Sequence, residues 1–133
     1  MTDAIPFDPA LVDAWIALWN SYDLDQVERL FLMDARVTYF SSEKQGIVRG
    51  AEALRAHHAG FGFVPGGKAS ANRLWQEDRQ ADAFADCAVV TAIWCFQRGG
   101  AGRVQRGPVT LVYVRAGDGW RIAHANFGNY PAA

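Results

Sequence analysis

The sequence predicts an α+β domain, a curved antiparallel sheet with helices packed on one face. Two patterns carry the prediction. Apolar residues recur at helical spacing in the N-terminal part, at Leu11, Trp15, Leu18 and Tyr22. The C-terminal part is a run of β-rich segments, DCAVVTAIWCFQ, RVQRGPVTLVYVR and WRIAHANF, divided by the glycine turns GGAG and AGDG. A length of 133 residues suits a single domain over 1–133 with a real core. Hydrophobic residues make up 50% and aromatic residues 13%, enough apolar area for a packed core or a lined cavity.

Each element has its own local warrant. Asp8-Pro9 predicts a helix start, with the carboxylate as N-cap and proline at the first helical position. Val12, Ile16 and Trp19 widen the apolar face of that helix. A short second helix begins near Asp23, with Gln26 three residues on as in a capping box, and carries Leu24, Val27, Leu30 and Phe31. ARVTYF reads as a strand with Val37 and Tyr39 on one face. SSEKQG reads as a turn or loop. A third helix spans about 51–59 between Gly50 and Gly60, with Leu54, one of His57 and His58, and Phe61 on its apolar side. FVPGG leads into a strand around SANRLWQE, and RQADAF reads as a turn. In the last strand, alternation puts Trp120, Ile122, His124 and Asn126 on one face and Ala123, Ala125 and Phe127 on the other; a one-residue bulge would reverse that assignment. Trp94, Phe96 and Tyr113 are expected on the convex face, where exposed aromatic area would mark a partner surface and predicts a homodimer.

Several function classes are excluded at this level. A net charge of −1 argues against a nucleic-acid partner. Arg98, Arg103 and Arg106 flank GGAG and read as a solvated hairpin tip. MTDAIPFDPA has neither the basic nor the apolar region of a signal peptide, and no apolar run approaches the ~18 residues of a membrane span. Cys87 and Cys95 fall in one strand, roughly 26 Å apart at its ordinary rise, too far for a disulfide. A reduced, cytoplasmic protein without membrane association is therefore expected. Adjacent His57 and His58 point about 100° apart on a helix, unlike a zinc-binding pair, and no other ligand cluster completes a set. FGFVPGG follows a helix rather than a strand, so it reads as a loop, either plain or lid-like, and not as a phosphate cradle. Neither a metal nor a cofactor is expected.

YDLDQVERLFLMDARVTYF, GAEALRAHH and GDGWRI, in this order of elements, resemble the nuclear transport factor 2-like superfamily and its SnoaL-like branch. The resemblance implies a cone-shaped, cystatin-like roll, with a cavity between the concave sheet face and three N-terminal helices. It also implies a convex face that often makes a dimer. Fold alone does not set function; the residues at the family's working positions do. Where the steroid isomerases resembling this chain carry Tyr, Asp and Asp, it has Trp15, Tyr39 and Val112; no carboxylate stands there to move a carbon-bound proton. Where the polyketide cyclases carry an Asp, it has Phe127. In that family the face matching Ala125 and Phe127 looks into the cavity, which leaves His124 on the convex side as a structural or interface residue.

The scytalone-dehydratase-like enzymes are the nearer local likeness. RVTYF places Tyr39, and LRAHH places His58, where those enzymes hold a Tyr and a His; their helix Asp falls at Asn20 and their strand Asn near Thr110. The resemblance implies a small-molecule-binding protein that acts as a cofactor-free lyase or isomerase on a small hydrophobic carbonyl compound. His58 would be the acid/base, Tyr39 would polarise the carbonyl, and Asn20 would orient. Trp15, Trp19, Phe61, Thr110, Val112, Ala125 and Phe127 would line the ligand site, with Phe63 and Trp75 as further candidates; each aromatic reads equally as plain core. The alternative is a non-catalytic ligand-binding or assembly module of the same fold. In that case His58 is a satisfied histidine at a helix C-terminus, favoured there by the helix dipole, and His57 is its structural neighbour.

Overall fold

A computed structural model describes residues 5–99, 102–117 and 119–131. Helices α1 (Ala10–Ser21) and α2 (Leu24–Leu30) precede strands β1 (Thr38–Phe40) and β2 (Val48–Arg49). Helix α3 (Ala51–Gly60) then leads to β3 (Arg73–Ala83), β4 (Cys87–Gln97), β5 (Val104–Ala116) and β6 (Gly119–Phe127). The strands form one curved, unclosed sheet in the order β2-β1-β6-β5-β4-β3. Strands β3 to β6 make an antiparallel meander, and β1 joins it parallel to β6.

The helix starts follow their caps. Asp8 Oδ1 accepts from the Ala10 amide at 2.9 Å, and Pro9 already has a helical φ of −57°. The chain reverses after α1 at Tyr22, whose φ is +56°. Asp23 then caps α2 through the Asp25 amide at 3.0 Å, and the same carboxylate oxygen accepts from Gly66 at 3.1 Å. The loop after α3 is thereby tied to the α1–α2 junction. A β-carbon at Gly67 would lie 2.6 Å from the Ser21 carbonyl oxygen, so that close approach requires glycine.

Two elements differ from the sequence reading. SSEKQG is a loop as read, but the residues after it, Val48–Arg49, form the short strand β2, paired to β1 and absent from the sequence reading. RQADAF is not a turn: β3 runs on to Ala83, its register shifts between Glu77 and Gln80, and Asp78 takes up the irregularity with φ +54°. β3 is an edge strand, where charged residues and a bulge guard against unwanted pairing. Its polar sequence therefore imitates a loop.

The faces of the sheet also need correction. In β6, Val112 pairs with His124 while Tyr113 pairs with Ile122, so Ala123 is the extra residue of a bulge. The bulge puts Trp120 and Ile122 on the same face as Ala125 and Phe127, all four buried. His124 lies on the opposite face, its Nδ1 2.7 Å from Thr38 Oγ1. Pairing carries the assignment across the sheet: Ala125 opposes Leu111, Phe127 opposes Val109, and Val90 opposes Leu111. This helix-covered face includes Trp94, Phe96 and Tyr113, which do not stand on the convex side. Trp94 meets Phe127 at 5.9 Å between ring centroids, and Tyr113 meets Phe7 at 4.9 Å. Thr110 and Val112 belong to the outer face, as does Trp75, paired with Cys95. Alternation had grouped residues correctly within β4 and β5; only helix packing decides which group is covered.

Close packing on the covered face depends on Gly107. A β-carbon there would stand 1.9 Å from the Gly128 carbonyl oxygen and 2.9 Å from Trp94 Nε1, which donates to that oxygen at 2.9 Å. Gly107→Ala is expected to cost about 1–3 kcal/mol by overpacking, read as a lower urea midpoint.

Candidate functional site

A cleft of about 270 Å³ opens between the sheet and the helices. Trp19 and Tyr22 come to it from the end of α1, Phe61 from the end of α3, and Leu74 from β3. The sheet supplies Tyr39, Trp94, Phe96 and Phe127. Its polar lining consists of Ser41, Ser42 and Glu43 after β1, Asn72 before β3, Arg98 after β4, and Gln105 in β5. An aromatic interior with a few polar groups is the ordinary make-up of a small-molecule site, and the volume falls just below the usual range of about 300–1,000 Å³.

Of the residues singled out from sequence, Tyr39, Trp19, Phe61 and Phe127 meet at this cleft. Trp15 and Ala125 lie beneath it in the core, fully buried, with Trp15 against Phe127 at 5.6 Å. Phe63 is core as well, packed on Trp19 at 5.1 Å. Thr110 and Val112 are separated from the cleft by the sheet itself. Asn20 is held elsewhere: its Nδ2 donates to the Leu74 carbonyl at 3.0 Å, and its Oδ1 accepts from the Leu74 amide at 2.8 Å. The side-chain amide thus completes the outward backbone pair of an edge strand. Asn20→Ala is expected to cost about 1–2 kcal/mol in unfolding measurements by stripping both partners from Leu74.

His58 is fully buried. Its Nδ1 is 2.9 Å from the Leu54 carbonyl oxygen one turn earlier. A carbonyl only accepts, so the proton sits on Nδ1 and Nε2 keeps its lone pair. That Nε2 has no protein partner among the described residues. Trp19, Phe31, Tyr39 and Phe63 surround the ring at 5.3–5.7 Å between centroids. Burial lowers the His58 pKa to about 4, against the opposing effect of the Leu54 hydrogen bond, and nearby His57 lowers it further. His57, 3% exposed, is likewise lowered to about 4 by burial and then by Lys44. Both imidazoles are neutral at pH 7. The helix dipole does not keep a charge on either, because desolvation dominates. Neither histidine is part of the cleft lining, which Trp19 and Tyr39 form in front of His58.

Tyr39 is buried, and desolvation holds its phenol far above the ordinary value, so it remains a hydrogen-bond donor. The sequence reading missed Tyr22, Leu74, Trp94, Phe96, Asn72, Arg98 and Gln105. Leu74 and Phe96 are cross-strand partners, so pairing β3 with β4 and fixing the covered face from Phe127 would have found them together. The FGFVPGG segment is anchored rather than free: Val64 exchanges backbone hydrogen bonds with Tyr22 and Leu24 at 3.0 and 2.9 Å. Cys87 and Cys95 are free thiols, both on β4. Among the described residues no group of three or more His, Cys, Asp or Glu could hold a metal ion. None of the described helices is long and apolar enough to cross a membrane.

A half-open sheet folded over three helices around an aromatic cleft is the architecture of nuclear transport factor 2-like proteins. A protein of that superfamily from Salmonella enterica has the same fold at 17% identity, with a TM-score of 0.75, 92% of this chain covered and 88% of the other. A candidate dehydratase of the family from Streptomyces avermitilis matches at 16% identity and a TM-score of 0.77, over 92% of this chain and 93% of the other. The association domain of C. elegans CaMKII matches at 15% identity and a TM-score of 0.70, over 90% of each chain. No curated protein sequence matches the chain. The chain belongs to the SnoaL-like domain family, whose profile matches residues 9–131.

Proposed function

We propose that this protein binds a small hydrophobic organic molecule in the cleft. The observation that carries the reading is the ring-lined interior, in which Trp19, Tyr39, Phe61, Trp94 and Phe127 converge from α1, β1, the end of α3, β4 and β6. Binding is favoured over chemistry because, among the described residues, no imidazole lines the cleft and its one carboxylate, Glu43, is exposed. A saturable titration with neutral aromatic probes, followed by amide chemical shifts, tests this. Shifts should concentrate at Trp19, Tyr39 and Phe127, and Ser42→Trp, which fills the mouth from a loop, should abolish them. Saturation that survives Ser42→Trp would place the ligand elsewhere.

One observation favours a second reading, a cofactor-free lyase or isomerase. The unpartnered Nε2 of His58 is a base directly behind Tyr39, their rings 5.6 Å apart. If a ligand displaces Trp19, that nitrogen can take a proton while the Tyr39 phenol donates to a carbonyl. A His58→Ala variant with full turnover on a true substrate removes this reading and leaves the first intact.

Assembly is proposed through the outer face, now on aliphatic rather than aromatic grounds. Val89, Ile93, Val112 and Val114 lie half-buried there with no helix over them. The likeness to an association domain supports the same reading. Val112→Asp should convert a dimer to monomers in sedimentation equilibrium; a wild-type protein that sediments as a monomer refutes the proposal.

A further inference from the structure

The three arginines that cluster in sequence around GGAG are divided by the sheet. Arg106 donates to Glu77 on the outer face at 3.1 Å. Arg98 turns to the other side, its guanidinium 5.3 Å from the centre of the Phe96 ring, in the lining of the cleft. No carboxylate pairs with Arg98 among the described residues. Glu43, the only acid of the lining among the described residues, instead accepts from Gln105 at 3.1 Å.

The side-chain amides of the lining are already engaged, and the unpartnered Trp19 indole N–H is a neutral donor in the aromatic interior. Asn72 donates to the Tyr22 hydroxyl at 2.9 Å and accepts from the Gly99 amide at 2.9 Å. The Gln105 amide nitrogen is divided between Glu43 and Asn129. Arg98 therefore holds the free cationic donors of the site. Its planar fork matches a carboxylate in two parallel hydrogen bonds. Seated over Phe96, it is already partly ordered, which lowers the entropic cost of clamping a ligand.

We infer that the ligand is a flat aromatic carboxylate of about one or two rings, with its ring among Trp19, Trp94 and Phe127 and its carboxylate on Arg98. This rests on the ligand-binding reading of the same cleft and adds the chemical class. The size follows from the 270 Å³ of space. The polarity follows from the layout, with rings inside and, among the described lining residues, the one unengaged cation beside Phe96 at the exposed end of β4.

The test compares 2-naphthoate with 2-naphthamide, a neutral molecule of nearly the same shape, on the wild-type protein and on Arg98→Gln. The wild type should bind naphthoate about tenfold or more tighter than naphthamide, because hydrogen bonds to a charged partner are worth that much. Arg98→Gln should lose that advantage and leave naphthamide affinity within about twofold, since Arg98 is exposed and outside the core. Equal affinity for the two probes in the wild type, or an advantage that survives Arg98→Gln, overturns the carboxylate inference but keeps the cleft as a binding site. No saturable binding of either probe, with no amide shifts at Trp19 or Phe127, overturns the binding reading as well.

Discussion

Acid is expected to unfold this protein well before its carboxylates are all protonated. His58 is neutral in the fold because burial lowers its pKa to about 4, against 6.5 for a solvated imidazole. The unfolded chain therefore binds more protons than the native one between those two values. Stability is complete above pH 6.5 and declines as the pH falls towards 4. Below both values the loss from His58 alone is roughly 3 kcal/mol, against a typical total of about 5–15. His57 adds to it by the same sign, by a smaller amount where solvent screens Lys44. Urea midpoints at pH 7.5 and pH 4.5 measure the decline. His58→Phe, which fills the same aromatic cage with a group that never charges, should flatten the profile. If wild type and His58→Phe lose stability in parallel, the buried neutral histidine is not the cause.

The same histidine shows what could and could not be read ahead of the structure. LRAHH identified a helix end whose apolar side held Leu54 and one of the two histidines; the structure buries both, His58 lying one turn after Leu54. What spacing could not supply was the depth of the ring. Four aromatic side chains from α1, α2, β1 and the loop after α3 close around it, and only their convergence turns a helix-terminal imidazole into a neutral core residue. Tyr39, Trp19, Phe61 and Phe127 each sit on an apolar stripe, and the SnoaL-like resemblance is what grouped them at a ligand site. Arg98 was not legible there, since a one-dimensional reading joined it to Arg103 and Arg106, which strand pairing separates. The meander was visible from its glycine turns. Its faces were not, because a single extra residue at Ala123 reverses the first half of β6 relative to the second. β3 was shortened for a different reason: an edge strand can be as polar as a loop.

Phe127 and Val112 provide the sharpest check on the face assignment, because the family resemblance made both ligand-lining and the strand register puts them on opposite faces. Phe127 touches the rings of Trp15, Trp19, Tyr39 and Trp94 at 5.6–6.2 Å and is 9% exposed. Phe127→Ala removes a ring that both walls the cleft and buttresses the core, so about 3–5 kcal/mol should be lost. The cleft should widen as well, so a ligand that fits the wild type binds more weakly even at temperatures where the variant is folded. Val112 is half-buried on the outer face, opposite His124. Val112→Ala should cost under about 1 kcal/mol and leave probe affinity unchanged, because Val112 lies on the other side of the sheet from the cleft. Denaturant unfolding and one probe titration on each variant separate the two residues. Comparable losses of affinity at both positions would mean that the register pairing Val109 with Phe127 and Val112 with His124 does not hold, since one sheet cannot present Phe127 and Val112 to the same ligand.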